Sequence, residues 1–353
     1  MELKSDEWSI YVRISNIILG IVALLFILYI GQNIFIPIVF SVLIAILLNP
    51  FVNILIRKKI NRIVAITIAV FTAIVVILGL SYFIISQSVI LGETLPEFNQ
   101  KATLLINDGI AWTSEQLNIS QFKIEAWLDK TKTEGMDNST AKIGSALSSG
   151  IDFLVLLLLI PVYMFLLLFY KPLLLEFISQ IFVNDKKEMV SELLTETKSL
   201  IQSYLMGLFF EAVIVAALNT IGLLVIGIKY ALLIGVIGAI LNLIPYIGGI
   251  IAVAIPMLMA VATKSPVSAL WVLILYLVVQ LIDNNFIIPK IVASKVNINA
   301  LMSIIVVLIG GAMWGVAGMF LSIPLTAILK VIFDRVDPLK PLGFLIGDKQ
   351  PET

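Results

Sequence analysis

Apolar and polar positions alternate along this chain in blocks, not at the periods of an amphipathic soluble helix or a half-buried strand. Near-continuous apolar runs cover 14–30, 34–56, 63–88, 151–170, 204–227, 231–263, 268–288 and 301–333. Most are close to the ~20 residues that a helix needs to cross a bilayer. The pattern predicts an all-α polytopic membrane protein with about eight hydrophobic segments. Two of the eight are interrupted. The run 231–263 carries Asn242, Pro245, Gly248 and Gly249 at its centre, with Ile255-Pro256 beyond them. Proline removes a backbone donor and glycine weakens a helix, so both work against continuity. The run 301–333 has Gly310, Gly311, Gly315 and Gly318, then Ile323-Pro324. The Gly/Pro spacing is similar in the two runs, and each follows an apolar span, which reads as a weak internal repeat. In lipid, freed backbone groups survive only where protein or water satisfies them.

Charge supplies the topology. Arg57, Lys58, Lys59 and Arg62 cluster after the second run, which places that loop and the N-terminus in the cytoplasm. Lys290 and Lys295 follow the seventh run, and Lys330, Arg335, Lys340 and Lys349 follow or end the eighth. The broken runs then enter from opposite faces, each as a re-entrant hairpin after one span, in an inverted repeat. Full crossings by both broken runs would also leave the C-terminus inside. Five regions result: membrane helices 1–3 over 1–90, a small net-acidic helical extracytoplasmic domain over 91–149, a fourth membrane helix with a cytoplasmic amphipathic helix over 150–203, a transport core over 204–336, and a cytoplasmic tail over 337–353. The amphipathic pattern around Met189, Leu193, Thr197 and Ile201 fits a helix on the inner membrane face or on the protein's own surface. Pro161 is expected to kink the fourth membrane helix.

Composition narrows the chemistry. The 353 residues are 60% hydrophobic and 13% charged, with no net charge and neither Cys nor His. Soluble domains run nearer ~25% charged. There is no basic footprint for nucleic acid, no disulfide, and no thiolate or imidazole for metal binding or catalysis. No nucleophile–base pair falls within an apolar span, so neither an enzyme nor a metal site is expected, and no cofactor beyond a possible coupling ion, Na⁺ or H⁺.

Polar residues inside the runs are the candidate site. Glu211 lies within an apolar run, where a carboxylate costs ~2.5–3.5 kcal/mol at mid-membrane. It reads as a proton carrier or cation ligand, or as a residue reaching the headgroups. Gln280, Asp283 and Asn284 share a helical face, with Asn285 and Pro289 after them. Pro289 has no N–H for the carbonyl of Asn285. Together these groups can hold a cation or hydrogen-bond a polyol, or they simply resolve a helix end. Asn242, Pro245, Gly248, Gly249, Gly315 and Gly318 mark the breaks, where half-helix ends suit charged ligands; close helix packing is the competing reading for the glycines.

At these residues the sequence resembles the AI-2E transporter family, the autoinducer-2 exporter-like permeases. The resemblance rests on Leu243-Ile-Pro245-Tyr246-Ile-Gly248, Ile255-Pro256, the run from Gln280 through Pro289, Gly310-Gly311, Gly315, Gly318, Ile323-Pro324-Leu325 and Ile328-Leu-Lys330. It implies a multi-pass permease of the bacterial cytoplasmic membrane with about eight hydrophobic segments, assembled as a homo-oligomer. It further implies export of a small polar or organic solute such as autoinducer-2, or alternatively Na⁺(Li⁺)/H⁺ antiport. A scaffold that docks partners through the external domain is a third expectation.

Overall fold

The computed structural model describes residues 10–93, 150–181, 187–245, 247–292 and 298–348, with isolated positions 107, 110, 111 and 114 between the first two stretches. The expected extracytoplasmic domain at 91–149 lies almost wholly outside the described residues. Those residues form helices and no strand. In order they are α1 (Ile10–Ile30), α2 (Gln32–Arg57), α3 (Arg62–Glu93), α4 (Gly150–Phe169), α5 (Lys171–Ile181), α6 (Lys187–Ile226), α7 (Ala231–Asn242), α8 (Ile247–Thr263), α9 (Pro266–Ile282), a π-helical turn (Asp283–Val292), α10 (Ala300–Arg335), and a short α11 (Lys340–Ile346). Among the described residues, five helices have the length and composition to cross a membrane, or six if the bent pair α4–α5 forms one span.

Their apolar outer faces are exposed, as on Phe26, Phe71, Leu224, Ile250, Leu277 and Leu308. Lipid is as apolar as these side chains, so burial does not drive helices together in a bilayer; close packing and polar contacts do. Small residues make that packing possible. A Cβ on Gly235 of α7 would run into the backbone of Thr220 on α6. Ala231, Ala252, Ala260 and Ala269 are buried in one cluster with Leu223, Val272 and Tyr276, joining α6, α7, α8 and α9. A second cluster joins α2, α3 and α4 through Ala45, Ala65, Ile66, Ala69 and Met164. Ser41 Oγ donates to the carbonyl of Ile160 at 3.1 Å, and Lys171 Nζ to Asn49 Oδ1 at 2.9 Å. These two contacts ascend both helices together, so α2 and α4 run parallel.

Both interrupted runs double back. Helices α7 and α8 hold only 12 and 17 residues and meet at a turn containing Pro245. They are antiparallel neighbours: Gly238 approaches Ala252, and Gly248 approaches Leu241 so closely that a Cβ would enter its carbonyl. The other run, α10, is two helical arms separated by a break at Trp314 (φ −131°, ψ 18°) and Gly315 (φ 60°, ψ −141°). Eight residues of straight helix would hold Gly310 and Gly318 about 12 Å apart. Instead each would press a Cβ on the other's carbonyl, and Gly311 lies against Met319. The two ends agree. Asn299, which caps the first arm of α10, donates from its backbone N to Ile346 O at 2.9 Å, and Gly343 of the same helix α11 lies against Asp334 in the second arm. Gly315 takes a positive φ, which L-residues adopt only with strain.

One expectation is corrected by the geometry. The amphipathic segment does not end before the apolar run that follows it: from Lys187 it is the first part of α6, continuous with that run. Neither proline nor glycine falls between Ser191 and Met206, and Arg335 ties the polar face to α10 through Glu192 and Glu196, at 2.9 and 2.8 Å. Pro161 sits inside α4 without ending it, and the chain bends by 65° further on, at Tyr170.

Candidate functional site

The site grows from one face of α6. Glu211, Val215 and Asn219 recur at four-residue spacing and are all buried, Glu211 at 4% exposure and Asn219 at 2%. On α9, Tyr276, Gln280 and Asp283 follow the same rule, at i, i+4 and i+7. The α7–α8 hairpin lays its turn between these two faces. Asn242, the last residue of α7, donates from Nδ2 to Asp283 Oδ2 at 2.9 Å. Gly249, one residue past the tight approach at Gly248, leaves the floor open: a Cβ there would stand 3.4 Å from Gln280 Oε1 and 3.5 Å from Asn242 Oδ1.

Asn219, Asn242, Gly249, Tyr276, Gln280 and Asp283 therefore surround a small enclosed space, closed on its apolar sides by Val215, Ala252 and Val279. Its volume of about 10 Å³ leaves room for a water-sized species. Three oxygen atoms on its wall are buried with no hydrogen-bond partner: Asn219 Oδ1, Tyr276 Oη and Asp283 Oδ1. Leaving a buried polar atom unsatisfied costs ~1–3 kcal/mol each, more when it is charged. A bound species that accepts electron density from all three would remove that cost. One carboxylate among neutral oxygens suits a monovalent cation. Among the described residues no three Asp, Glu, His or Cys side chains converge, as a divalent or transition metal would favour. Glu211, two turns from Asn219, has no hydrogen bond or ion pair among the described residues, and lies close enough to Asp283 for their charges to act on each other.

Below Asp283 the helix widens. Residues 283–292 follow π-helical hydrogen bonding, which reaches one residue further than an α-helix and collects at functional positions. Pro289 is the cause on the donor side, since it has no N–H to give. Asn285 turns its amide back to Leu281 O at 2.8 Å and is exposed, as is Pro289. Asn284 reaches the pocket only indirectly, accepting from Gln280 Nε2 at 3.1 Å.

The predicted residues thus separate. Asn242, Gly249, Gln280 and Asp283 meet in the pocket; Glu211 stands beside it; Pro245 and Gly248 shape the turn. Asn285 and Pro289 belong to the wide turn. Gly315 and Gly318 are elsewhere, packing the fold-back of α10; among the described residues, Leu243 of the first break and Phe320 and Ile323 of α10 pack together on Tyr204 and Leu208 of α6. Tyr276 is a pocket residue that sequence reasoning left out, and Asn219 stood out there only as an amide sharing the apolar run with Glu211; each lies at helical spacing from a residue assigned to the site.

Apolar spans, a broken helix and a buried polar pocket define an integral membrane protein of the transporter class. The chain matches the model of the AI-2E family transporters over residues 18–337, and it belongs to that family. It is 25% identical to the putative transport protein YueF of Bacillus subtilis over 87% of this chain and 85% of that one. It is 24% identical to the putative transport protein YhhT of Escherichia coli, covering 92% and 90% of the two chains. It is also 24% identical to the AI-2 transport protein TqsA of Escherichia coli, over 91% and 92%.

Proposed function

We propose that this chain is a cation-coupled secondary transporter of the bacterial cytoplasmic membrane, with both termini in the cytoplasm. In this reading the two doubled-back segments are re-entrant hairpins of an inverted repeat, and the pocket at Asp283 is where the coupling ion binds. The observation that carries it is the set of three partnerless buried oxygens around a space of single-ion size. Na⁺ would take Asp283 Oδ1, Asn219 Oδ1 and Tyr276 Oη as ligands; a proton would take Asp283 alone. The cargo is a small polar or organic solute moved outward. TqsA, which carries the name of an AI-2 transport protein, supports autoinducer-2 as the first candidate.

A second reading has its own support. The enclosed space does not admit a furanone-sized molecule in this conformation, so Na⁺(Li⁺)/H⁺ antiport, with Asp283 and Glu211 exchanging the two ions, needs no larger cavity. One liposome preparation separates the readings. Autoinducer-2 efflux driven by an imposed Na⁺ or H⁺ gradient supports solute export. Na⁺-driven proton movement without solute supports antiport. The absence of both, in protein that retains its fold, rejects the transport site at Asp283.

A further inference from the structure

The elbow between α4 and α5 carries a feature that transport does not use. Tyr163, Leu166, Tyr170, Leu173 and Leu174 form one stripe that continues from α4 across the bend, and Ile38 of α2 faces it. Between them is a hollow of about 400 Å³ whose lining is wholly apolar. The 65° bend makes the hollow, because α5 turns away from the line of α4 and leaves its leucines without a helix to pack on.

Arg62 and Lys171 stand at the bend, next to Tyr170 of the lining, with Lys198 near them. Arg62 Nη2 donates to Leu168 O and Phe169 O, both at 3.0 Å, which closes the C-terminal end of α4. Lys171, the first residue after the bend, bonds only the neutral Asn49. Lys198 of α6 and Arg62 lie close enough to Lys171 to act on its charge. None of the three joins an ion pair among the described residues. Like charges gathered without an acid repel each other, and an anion between them would relieve that repulsion. This is the end of α4 that the charge bias assigns to the cytoplasm, where anionic headgroups attract clustered Lys and Arg.

We propose that the α4–α5 elbow binds an anionic phospholipid, with an acyl chain in the hollow and the phosphate between Lys171, Lys198 and Arg62. Apolar lining alone would accept any lipid. The unpaired cations at the bend select the anionic class, and an apolar hollow lined on either side of Lys171, by Tyr170 and Leu173, favours a lipid over a free phosphate.

The test uses the full-length protein, purified in detergent, and native mass spectrometry with phosphatidylglycerol or phosphatidylcholine of matched chains. Phosphatidylglycerol is expected to bind at least about tenfold more tightly, ~1.4 kcal/mol. The Lys171→Gln/Lys198→Gln pair should abolish that preference, and Lys58→Gln should leave it intact. Arg62 is left unchanged because it also closes α4. Leu166→Trp, which fills the hollow, should weaken both lipids. A photoactivatable phosphatidylglycerol should label the peptide containing 163–174. Equal binding of both lipids, an unaltered preference in the double variant, or labelling confined to other segments would overturn the proposal. So would full displacement by glycerol phosphate, which would make this a free-anion site. Unchanged melting of each variant shows that the fold is kept; if the double variant melts early, Leu166→Trp and the labelled peptide decide the matter.

Discussion

Replacing Asp283 by Asn keeps the shape of the side chain and removes its charge. Asp283 is 1% exposed, with Oδ2 held by Asn242 and Oδ1 held by nothing. Two terms oppose each other. The bond from Asn242 falls from charge-assisted strength, ~1.5–3 kcal/mol, to the neutral ~0.5–1.5 kcal/mol, a loss of about 1 kcal/mol. The cost of placing a charge in the membrane interior, ~2.5–3.5 kcal/mol, disappears. The variant should therefore be more stable than the parent by about 2 kcal/mol in the absence of a coupling ion, a rise of a few degrees in melting temperature. It should also stop responding to the ion. The parent should gain ~2.7 kcal/mol when Na⁺ reaches a hundred times its dissociation constant, because ligand binding to the folded state alone stabilises it. Thermal unfolding in detergent, scanned against NaCl with choline chloride as the ionic-strength control, reads both quantities. A variant that melts early, as when a structural partner is removed, or that keeps the full Na⁺-specific shift, would refute the assignment of Asp283 as the ion-binding carboxylate.

Other variants test the surrounding parts. Tyr276→Phe removes a buried hydroxyl that bonds nothing, so without Na⁺ stability should rise by about 1–3 kcal/mol while the Na⁺-specific melting shift shrinks. Adjacent glycines should behave differently: Gly248→Ala drives a methyl into the backbone of Leu241 and should cost ~1–3 kcal/mol or more, whereas Gly249→Ala meets only ordinary contacts, should fold, and should lose the Na⁺ response by occupying the pocket floor. Gly315→Ala meets no neighbour, so any loss, about 1–3 kcal/mol by thermal unfolding, reports its positive φ alone. Glu211→Gln should fold at least as stably as the parent and retain Na⁺ binding while losing proton movement in liposomes; retained proton movement would remove Glu211 from the coupling scheme.

Much of this architecture is written in local chemistry. Pro245 and Gly248 mark the first turn because one lacks a donor and the other tolerates contact with Leu241. The second break is a matter of Gly310, Gly315 and Gly318, and in the fold its glycines pack the two arms together. The α4–α5 bend escaped because the chain turns at Tyr170 between two apolar helices. Asp283 and Gln280 were legible as a polar face on an apolar helix. Asn219 and Tyr276 were not, because single amides and tyrosines are common in membrane helices and gain meaning only when a fold brings them to one carboxylate. The continuity of α6 was obscured by a change from amphipathic to apolar composition, which alters a helix's surroundings without ending it.

The wide turn over Asp283–Val292 stores a surplus residue per turn relative to the helix above it. Rewinding its ten residues to the narrower pitch would both turn whatever lies beyond about the helix axis and push it further along that axis, because a wide turn fits more residues into the same length. Placed directly under the carboxylate, this stretch ties the position of everything beyond it to the backbone pairing around Pro289.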